Sequence, residues 1–344
     1  MIRLWKMLRD RVESKDLMSI DDDIGAKRLI CFRKKTKRKP WILEFLWRDI
    51  CATDCVQSRN DVELLLVDNV DSLRDLMSNC DAYVLVFDSQ LSLLHAAGIP
   101  LSRVVLYYPH VRAGLLLPGL KHVHAILCLN CFERALCLHE GVEFDRIHLF
   151  PAGYSASLFN SGSPVELSER PRDVLFVARY VTRDWSGAYP VRKRYDFLCS
   201  LANALALAGR RVAILGPGWR NCEYELLPQV QLVECEHALY PEQYQQTKLV
   251  CSVSAQEGGP VSFVEGVASG CLLMSTPSGF ALEFCCGRDG VWLMPLSANV
   301  QDWLDQVNIC LNRPFYDVDS QARRGFLQKA EFETLAFQLL HICF

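Results

Sequence analysis

The chain has 344 residues and a mass of 39.1 kDa, which is enough for two domains of ordinary size or one large α/β domain. Half of the residues are hydrophobic and 22% are charged, and this composition excludes an intrinsically disordered chain. The net charge of −3 is uneven, since residues 1–40 carry +7 and the remainder −10, so the N-terminal end is expected to meet an anionic partner or surface. A solvated basic loop is the alternative explanation of the same charges.

The 16 cysteines follow no disulfide framework. Neither close pair, Cys51/Cys55 or Cys128/Cys131, has a second pair at zinc-ligand spacing. Many of the cysteines lie in apolar runs, so we expect buried thiols and a reducing, cytosolic compartment. No apolar run reaches the roughly 18 residues of a membrane span. Residues 1–12 fit a short amphipathic helix, which would suit peripheral contact with the inner membrane face or packing on its own domain.

Twelve short β-rich runs alternate with helical patterns, which predicts parallel sheets covered by helices. The first six predicted strands are Leu29–Phe32, Val62–Asp68, Tyr83–Phe87, Val104–Tyr108, Ala125–Leu129 and Ile147–Phe150. The other six are Val174–Val177, Val212–Leu215, Leu232–Cys235, Leu249–Val253, Cys271–Ser275 and Val291–Met294. Tyr195–Ala208 is a predicted helix with Gly209 as its C-terminal cap.

The alternation is interrupted once, at the polar residues 160–172, which contain two prolines and a glycine and are the best linker candidate. We therefore predict an N-terminal domain of residues 1–160, a second domain of residues 161–320 and a C-terminal helix within residues 321–344. That helix offers apolar surface that could pack back on the N-terminal domain, at Leu335, Phe337, Leu339 and Leu340. The predicted fold class is α/β, with two doubly wound (Rossmann-like) domains facing an interdomain cleft, where ligands bind beyond the carboxyl ends of the strands.

Two glutamates, Glu257 and Glu265, follow the predicted strand Leu249–Val253. Gly258 and Gly259 would let the backbone approach a ligand closely. A helix beginning near Val261 would direct amide groups and a positive dipole end at an anion. Carboxylates accept hydrogen bonds from sugar hydroxyls. The pattern predicts a phosphate on the helix amides with hydroxyl groups on either side.

The stretch E-G-G-P-V-S-F-V-E-G-V-A-S-G-C-L-L-M-S-T resembles the E-x7-E motif of retaining GT-B glycosyltransferases of the group-1 (GT4-like) family. Other pieces follow in the family's order: V-V-L-Y-Y-P-H, the hinge-like F-P-A-G-Y-S, L-F-V-A-R-Y, R-K-R-Y-D-F-L and A-I-L-G-P-G. The resemblance covers residues 81–300. Pro260 stands where the family has the second glycine of E-G-F-G, and Ser155 replaces the usual aspartate of the hinge.

The resemblance implies transfer of a sugar from a nucleotide-diphosphate sugar to an acceptor hydroxyl, with retention and with no metal or other cofactor. The N-terminal domain would be the acceptor side, and the second domain would bind the nucleotide sugar. The implied catalytic residues are His110 and Glu257. The implied donor-binding residues are Arg179, Lys193, Gly216, Gly218, Gly258, Gly259, Val261 and Glu265. Arg192 or Arg194 could take the place of Lys193. Each of the implied site residues also has a purely structural explanation. For example, Gly216 and Gly218 could serve only to form a strand-to-helix turn.

Many family members have a glycine-rich loop after the first strand, whereas this chain has C-F-R-K-K-T-K-R-K-P-W. We take Arg33, Lys34, Lys35 and Lys37 as candidate acceptor-binding residues, because clustered cations raise the local concentration of anions. The expected acceptor is anionic: a glycan or lipid-linked intermediate of cell-surface polysaccharide or glycolipid synthesis, or nucleic acid.

Two alternatives to this assignment stay open. One is a DNA-modifying GT-B glycosyltransferase, and the other is a non-catalytic sugar-nucleotide-binding protein. A Rossmann dehydrogenase is disfavoured, because no G-x-G-x-x-G opens a first βα turn. Asp21–Asp23 resembles the acidic motif of metal-dependent GT-A enzymes, but it precedes the first strand and is interpreted as surface.

Overall fold

The computed structural model describes residues 27–32, 42–79, 81–108, 119–159, 166–181, 189–283, 290–312 and 321–344. The chain separates into two compact units. The first unit comprises the described residues of Met1–Cys128, Arg134–Leu149 and Glu333–Phe344, and the second comprises those of Leu129–Glu133 and Phe150–Phe332.

Within these described residues, twelve strands form two six-stranded sheets in which every paired strand is parallel. The first sheet has the order β2-β1-β3-β4-β5-β6, and the second has the order β12-β11-β10-β7-β8-β9. The strands of the first sheet are β1 Lys27–Phe32, β2 Val62–Val67, β3 Ala82–Phe87, β4 Val104–Tyr108, β5 Ala125–Cys128 and β6 Ile147–Leu149. Those of the second are β7 Arg172–Val177, β8 Val212–Leu215, β9 Gln231–Val233, β10 Thr247–Ser252, β11 Leu272–Ser275 and β12 Val291–Leu293.

α-Helices lie between most of these strands along the chain, since a parallel pair needs a crossover connection. The first five helices are α1 Ile42–Cys51, α2 Asp54–Gln57, α3 Val70–Asn79, α4 Asp88–Ala96 and α5 Cys131–His139. The next five are α6 Ala156–Phe159, α7 Tyr189–Lys193, α8 Tyr195–Leu207, α9 Tyr240–Gln245 and α10 Val261–Ala268. The last three are α11 Val300–Asn312, α12 Gln321–Ala330 and α13 Phe332–Cys343. None of the helices within the described ranges is long and apolar enough to cross a membrane.

Each sheet contributes to a hydrophobic core of its own. In the first unit β4 and β5 are buried along their whole length, because a parallel sheet is covered on both faces. In the second unit β8 is equally buried, and α8 and α11 pack together around the fully buried Trp303.

The C-terminal helix α13 belongs to the first unit. The Glu333 carboxylate accepts hydrogen bonds from the backbone N–H groups of Asp54 and Cys55, at 3.0 and 2.6 Å, and so caps the start of α2. The Gln338 side chain donates to the carbonyl of Leu149 at 3.1 Å. The Nε2 atom of His124 lies 2.8 Å from the carbonyl oxygen of Ile342.

The predicted fold class, α/β with doubly wound parallel sheets, is confirmed. All twelve predicted strands are present, with ends that differ by at most two residues. The predicted helix at Tyr195–Ala208 is α8, and Gly209 caps it with φ +79° and the hydrogen bonds of a Schellman motif. Residues 321–344 form two helices rather than the one predicted. They are interrupted at Glu331, where the chain pairs with Tyr154.

Candidate functional site

The second sheet has a topological switch point between β7 and β10. Read from β9, its order is the doubly wound 3-2-1-4-5-6 arrangement, and the connections leave β7 and β10 toward opposite sides. In such sheets, ligands bind in the crevice beyond the carboxyl ends of the two strands at the switch point. Arg179 follows β7 and Glu257 follows β10, so two of the predicted residues lie at this position.

The Glu257 side chain is 7% exposed and forms an ion pair with Lys193, the last residue of α7. Of the three neighbouring cations, the structure therefore brings Lys193 to this glutamate. Burial alone raises the pKa of the Glu257 carboxyl, but the positive charges of Lys193 and Arg192 and a hydrogen bond from Ser254 bring it below its ordinary value. Glu257 is thus held ionised inside the protein.

The loop around Gly258 and Gly259 is fixed by close packing. The Asn130 side chain donates a hydrogen bond to the Gly258 carbonyl and also caps α5. A Cβ atom at Gly259 would lie 2.1 Å from the ring of the buried Phe280, so only glycine fits at this position. Gly279 has φ +57° and packs on the Gly258 carbonyl. Because the C=O and N–H of a trans peptide point in opposite directions, the contact with Asn130 directs the Gly259 N–H away from that side chain.

Pro260 is the N-cap residue of α10, with φ −67° and ψ 117°. Its carbonyl accepts the first helical hydrogen bond, from the Phe263 N–H at 2.9 Å. The amides of Val261 and Ser262 precede that bond, where a helix has no internal acceptor. The proline therefore removes its own amide and leaves the first-turn amides in position for an anion.

Glu265 lies one turn into α10 and is 3% exposed. One carboxylate oxygen lies 2.6 Å from Nε2 of His237, and the other accepts a hydrogen bond from the Tyr244 hydroxyl at 2.7 Å. Neither partner was among the predicted site residues. The sequence alone does not indicate that His237 and Tyr244 contact Glu265, because this contact depends on how α9 packs on α10.

Arg179 is exposed beyond β7, while the next residue, Tyr180, is buried. The turn with Arg179 rests on an aromatic cluster of Tyr180, Tyr195 and Trp219, whose ring centroids are 5.0 to 5.4 Å apart. The Trp219 indole donates to the Ala178 carbonyl at 2.6 Å. The cluster gives the exposed arginine a rigid support.

Gly216 and Gly218 hold two strand-end loops together. A Cβ atom at Gly216 would lie 2.4 Å from the carbonyl oxygen of Ala178, and one at Gly218 would lie 2.6 Å from that of Tyr180. Their φ angles are +138° and +93°, which L side chains rarely adopt. These glycines act through the loop that follows β7, and their contact with a donor stays a prediction.

Several predicted residues lie outside the described part of the chain. These are His110, the acceptor-binding candidates Arg33, Lys34, Lys35 and Lys37, and the acidic run Asp21–Asp23. Ser155, at the predicted hinge, is described: its carbonyl accepts the N–H groups of Leu158 and Phe159 and starts α6. Among the residues that the structure describes, no group of three or more His, Cys, Asp or Glu side chains is arranged to hold a metal ion.

No protein-family model matches the sequence, and no curated protein matches it. Solved structures do match the fold. The chain is similar to Anabaena HepE in complex with UDP and glucose, with a TM-score of 0.63 and 15% identity over 91% of this chain and 98% of that one. It is similar to a glycosyltransferase from Rickettsia africae, with a TM-score of 0.65 and 11% identity over 93% and 98% of the two chains. It is also similar to the lipopolysaccharide outer core galactosyltransferase WaaB, with a TM-score of 0.62 and 13% identity over 92% and 98%.

At these identities the likeness concerns the fold, and it extends over nearly the whole of each chain. The two parallel six-stranded sheets match the GT-B fold of these solved structures.

Proposed function

We propose that this chain is a glycosyltransferase that moves a sugar from a nucleotide-diphosphate donor to an acceptor hydroxyl. One observation carries the proposal: Glu257 and Glu265 flank the start of α10 at the switch point of the second sheet, with Lys193 against Glu257. The same fold holds UDP and glucose in HepE, which supports a nucleotide sugar as the ligand.

The donor-binding roles follow the order of groups along the loop and helix. Glu257 accepts hydrogen bonds from the hydroxyls of the donor sugar, and Glu265 from those of the ribose. The diphosphate lies between them on the backbone amides at Gly259 and Val261. Because the Lys193 ammonium has three donors, it can hold Glu257 and a phosphate oxygen together.

The main catalytic requirement is to stabilise the negative charge that develops on the leaving diphosphate. As the glycosidic bond breaks, electrons move to the bridging phosphate oxygen, and Arg179, Lys193 and the helix amides stabilise the developing charge. Groups that are already oriented do this without reorganisation in the transition state. The resemblance to retaining enzymes implies that the new bond forms on the face that the diphosphate leaves, with no metal required and with His110 hydrogen-bonding the reacting sugar.

The acceptor is proposed to be an anionic glycan or a lipid-linked sugar. The basic residues Arg33, Lys34, Lys35 and Lys37 support this, because they would attract phosphate-bearing acceptors. WaaB, which shares the fold, is a lipopolysaccharide outer core galactosyltransferase. The proposed location is the cytoplasm, with peripheral contact at the inner membrane face through the basic N-terminal region.

A screen of nucleotide sugars by thermal shift tests the donor half of this proposal. A true donor raises the unfolding midpoint, since it binds only the folded state. Release of nucleoside diphosphate from that donor, with proton NMR of the product's anomeric signal, then tests transfer and retention. Binding without release would favour a non-catalytic sugar-nucleotide-binding protein. Salt-dependent binding of duplex DNA would favour the DNA-modifying alternative.

A further inference from the structure

The carboxylate of Glu265 is held by two different side chains, one on each oxygen. Tyr244 is fully buried and donates its hydroxyl to one oxygen, while the His237 side chain is 56% exposed and contacts the other. Burial raises the pKa of the Tyr244 hydroxyl well above its ordinary value, so the hydroxyl remains a donor at neutral pH.

The His237 ring is oriented by aromatic neighbours. Its centroid lies 5.0 Å from that of Tyr240 and 6.0 Å from that of Phe159. An ionised carboxylate only accepts hydrogen bonds, which assigns the proton of this contact to Nε2 of His237. The imidazole is therefore a fixed donor at the exposed end of an otherwise buried glutamate.

This arrangement leaves acceptor capacity on both oxygens. A carboxylate offers about four acceptor positions, and Tyr244 and His237 occupy one on each oxygen. The remaining capacity, one position per oxygen, matches two adjacent hydroxyls. A ligand with a single hydroxyl would leave one of them without a donor, which is costly at a buried carboxylate.

We propose that His237 is a positioning residue that holds Glu265 for the vicinal diol of a ribose, and that this makes the site selective for ribonucleotides over 2′-deoxyribonucleotides. The inference rests on the proposed donor-binding function. The buried Tyr244 fixes one oxygen of the carboxylate, and the exposed His237 fixes the other. Without the imidazole, the carboxylate can rotate and the match to two hydroxyls is lost.

The test compares the affinities of three ribonucleoside diphosphates, UDP, ADP and GDP, with those of their 2′-deoxy forms, by calorimetry. Wild-type protein should prefer the ribo form of its nucleotide by roughly ten- to a hundredfold, as expected for a hydrogen bond to a charged group. His237→Ala should reduce this preference about fivefold or more, because it weakens the ribo form more than the deoxy form, whose 3′-hydroxyl still reaches Glu265. His237→Gln, which keeps an N–H donor, should restore part of the preference.

The matched control is His139→Ala, which removes an exposed imidazole at the end of α5 and should leave the preference unchanged. Equal weakening of the ribo and deoxy forms by His237→Ala, or no weakening at all, would overturn the inference while leaving the proposed function standing. If wild-type protein bound none of the three ribonucleotides, nor CDP, nor dTDP, the proposed function itself would fail, and the inference with it.

Discussion

Gly259 offers the sharpest steric test of the donor loop. An alanine Cβ at this position would lie 2.1 Å from the nearest atom of the Phe280 ring and 2.7 Å from the next, whereas ordinary contacts begin near 3.4 Å. The φ angle is not in the left-handed region, so the cost of Gly259→Ala is steric. Phe280 is 1% exposed and packs on Phe326, with ring centroids 5.4 Å apart, and therefore has little room to move away.

We expect Gly259→Ala to destabilise the protein by about 1–3 kcal/mol, the usual cost of overpacking a core. In a unit of this size, that lowers the thermal unfolding midpoint by roughly 3–9 °C. Donor affinity should fall as well, because relief of the clash displaces the loop between Glu257 and α10. Unfolding followed by fluorescence and donor binding followed by calorimetry measure the two effects.

Two further variants separate the clash from a general effect of the substitution. Gly325→Ala in α12 meets no atom within 4 Å and should be neutral, or stabilising by about 0.5–1 kcal/mol. Phe280→Leu removes the two ring atoms nearest to the new Cβ, so the double variant should lose less stability than the sum of the single variants. Additive losses, or an unchanged midpoint and affinity in Gly259→Ala, would refute this packing argument.

Three other expectations concern stability. The pKa of Glu257 in the folded protein lies below its ordinary value of 4.5, so on acidification the carboxylate is protonated in the unfolded chain before it is protonated in the folded protein. The ion pair therefore contributes its full stability above about pH 4.5, and this contribution is lost as the pH falls through the folded-state pKa. Between about pH 5 and pH 3.5, the unfolding midpoint of wild-type protein should therefore fall more steeply than that of the Glu257→Gln variant. Glu236→Gln, at an exposed glutamate, is the control and should follow wild-type protein. Parallel curves for wild-type protein and Glu257→Gln would contradict the depressed pKa. Gly216→Ala should lower the free energy of unfolding in urea by at least about 2 kcal/mol. The loss should exceed that of Gly209→Ala, because Gly209 also has a positive φ but an added Cβ there would meet no atom within 4 Å. Equal losses would rule out the clash with Ala178. Arg323→Met should cost about 2–4 kcal/mol, because the buried guanidinium donates to the carbonyls of Val267 and Cys271 at the C-terminal end of α10. The same change at the exposed neighbour Arg324 should cost under about 0.5 kcal/mol.

The strands were predictable because each is a short β-branched or aliphatic run bounded by polar residues. β4 (V-V-L-Y-Y) and β8 (V-A-I-L) are buried at every position, as the central strands of a covered parallel sheet should be. The cap of α8 was predictable for a local reason, since only glycine readily adopts the φ of Gly209. By contrast, the break at Glu331 depends on a pairing with Tyr154, which is far away in the sequence and leaves no local signal.

The same distinction applies to the candidate site. Glu257, Lys193 and the start of α10 follow from motif order and from the position of strand ends. The residues that fix them do not: Phe280 faces Gly259 from a loop after β11, and His237 and Tyr244 reach Glu265 from the segment before β10. These contacts depend on how the elements of the second unit pack, and sequence spacing does not encode that packing.

The most direct test of the proposed activity is the release of nucleoside diphosphate from a panel of nucleotide sugars by wild-type protein, Glu257→Gln and the exposed control Glu236→Gln. Glu257 is the group that we place on the donor sugar, so its carboxylate should be needed for turnover. We predict release from at least one donor by wild-type protein and the control, and a loss of roughly a hundredfold or more in Glu257→Gln, as found when a group that stabilises a transition state is removed. Undiminished release by a folded Glu257→Gln protein, or no release from any donor by wild-type protein, would contradict the account.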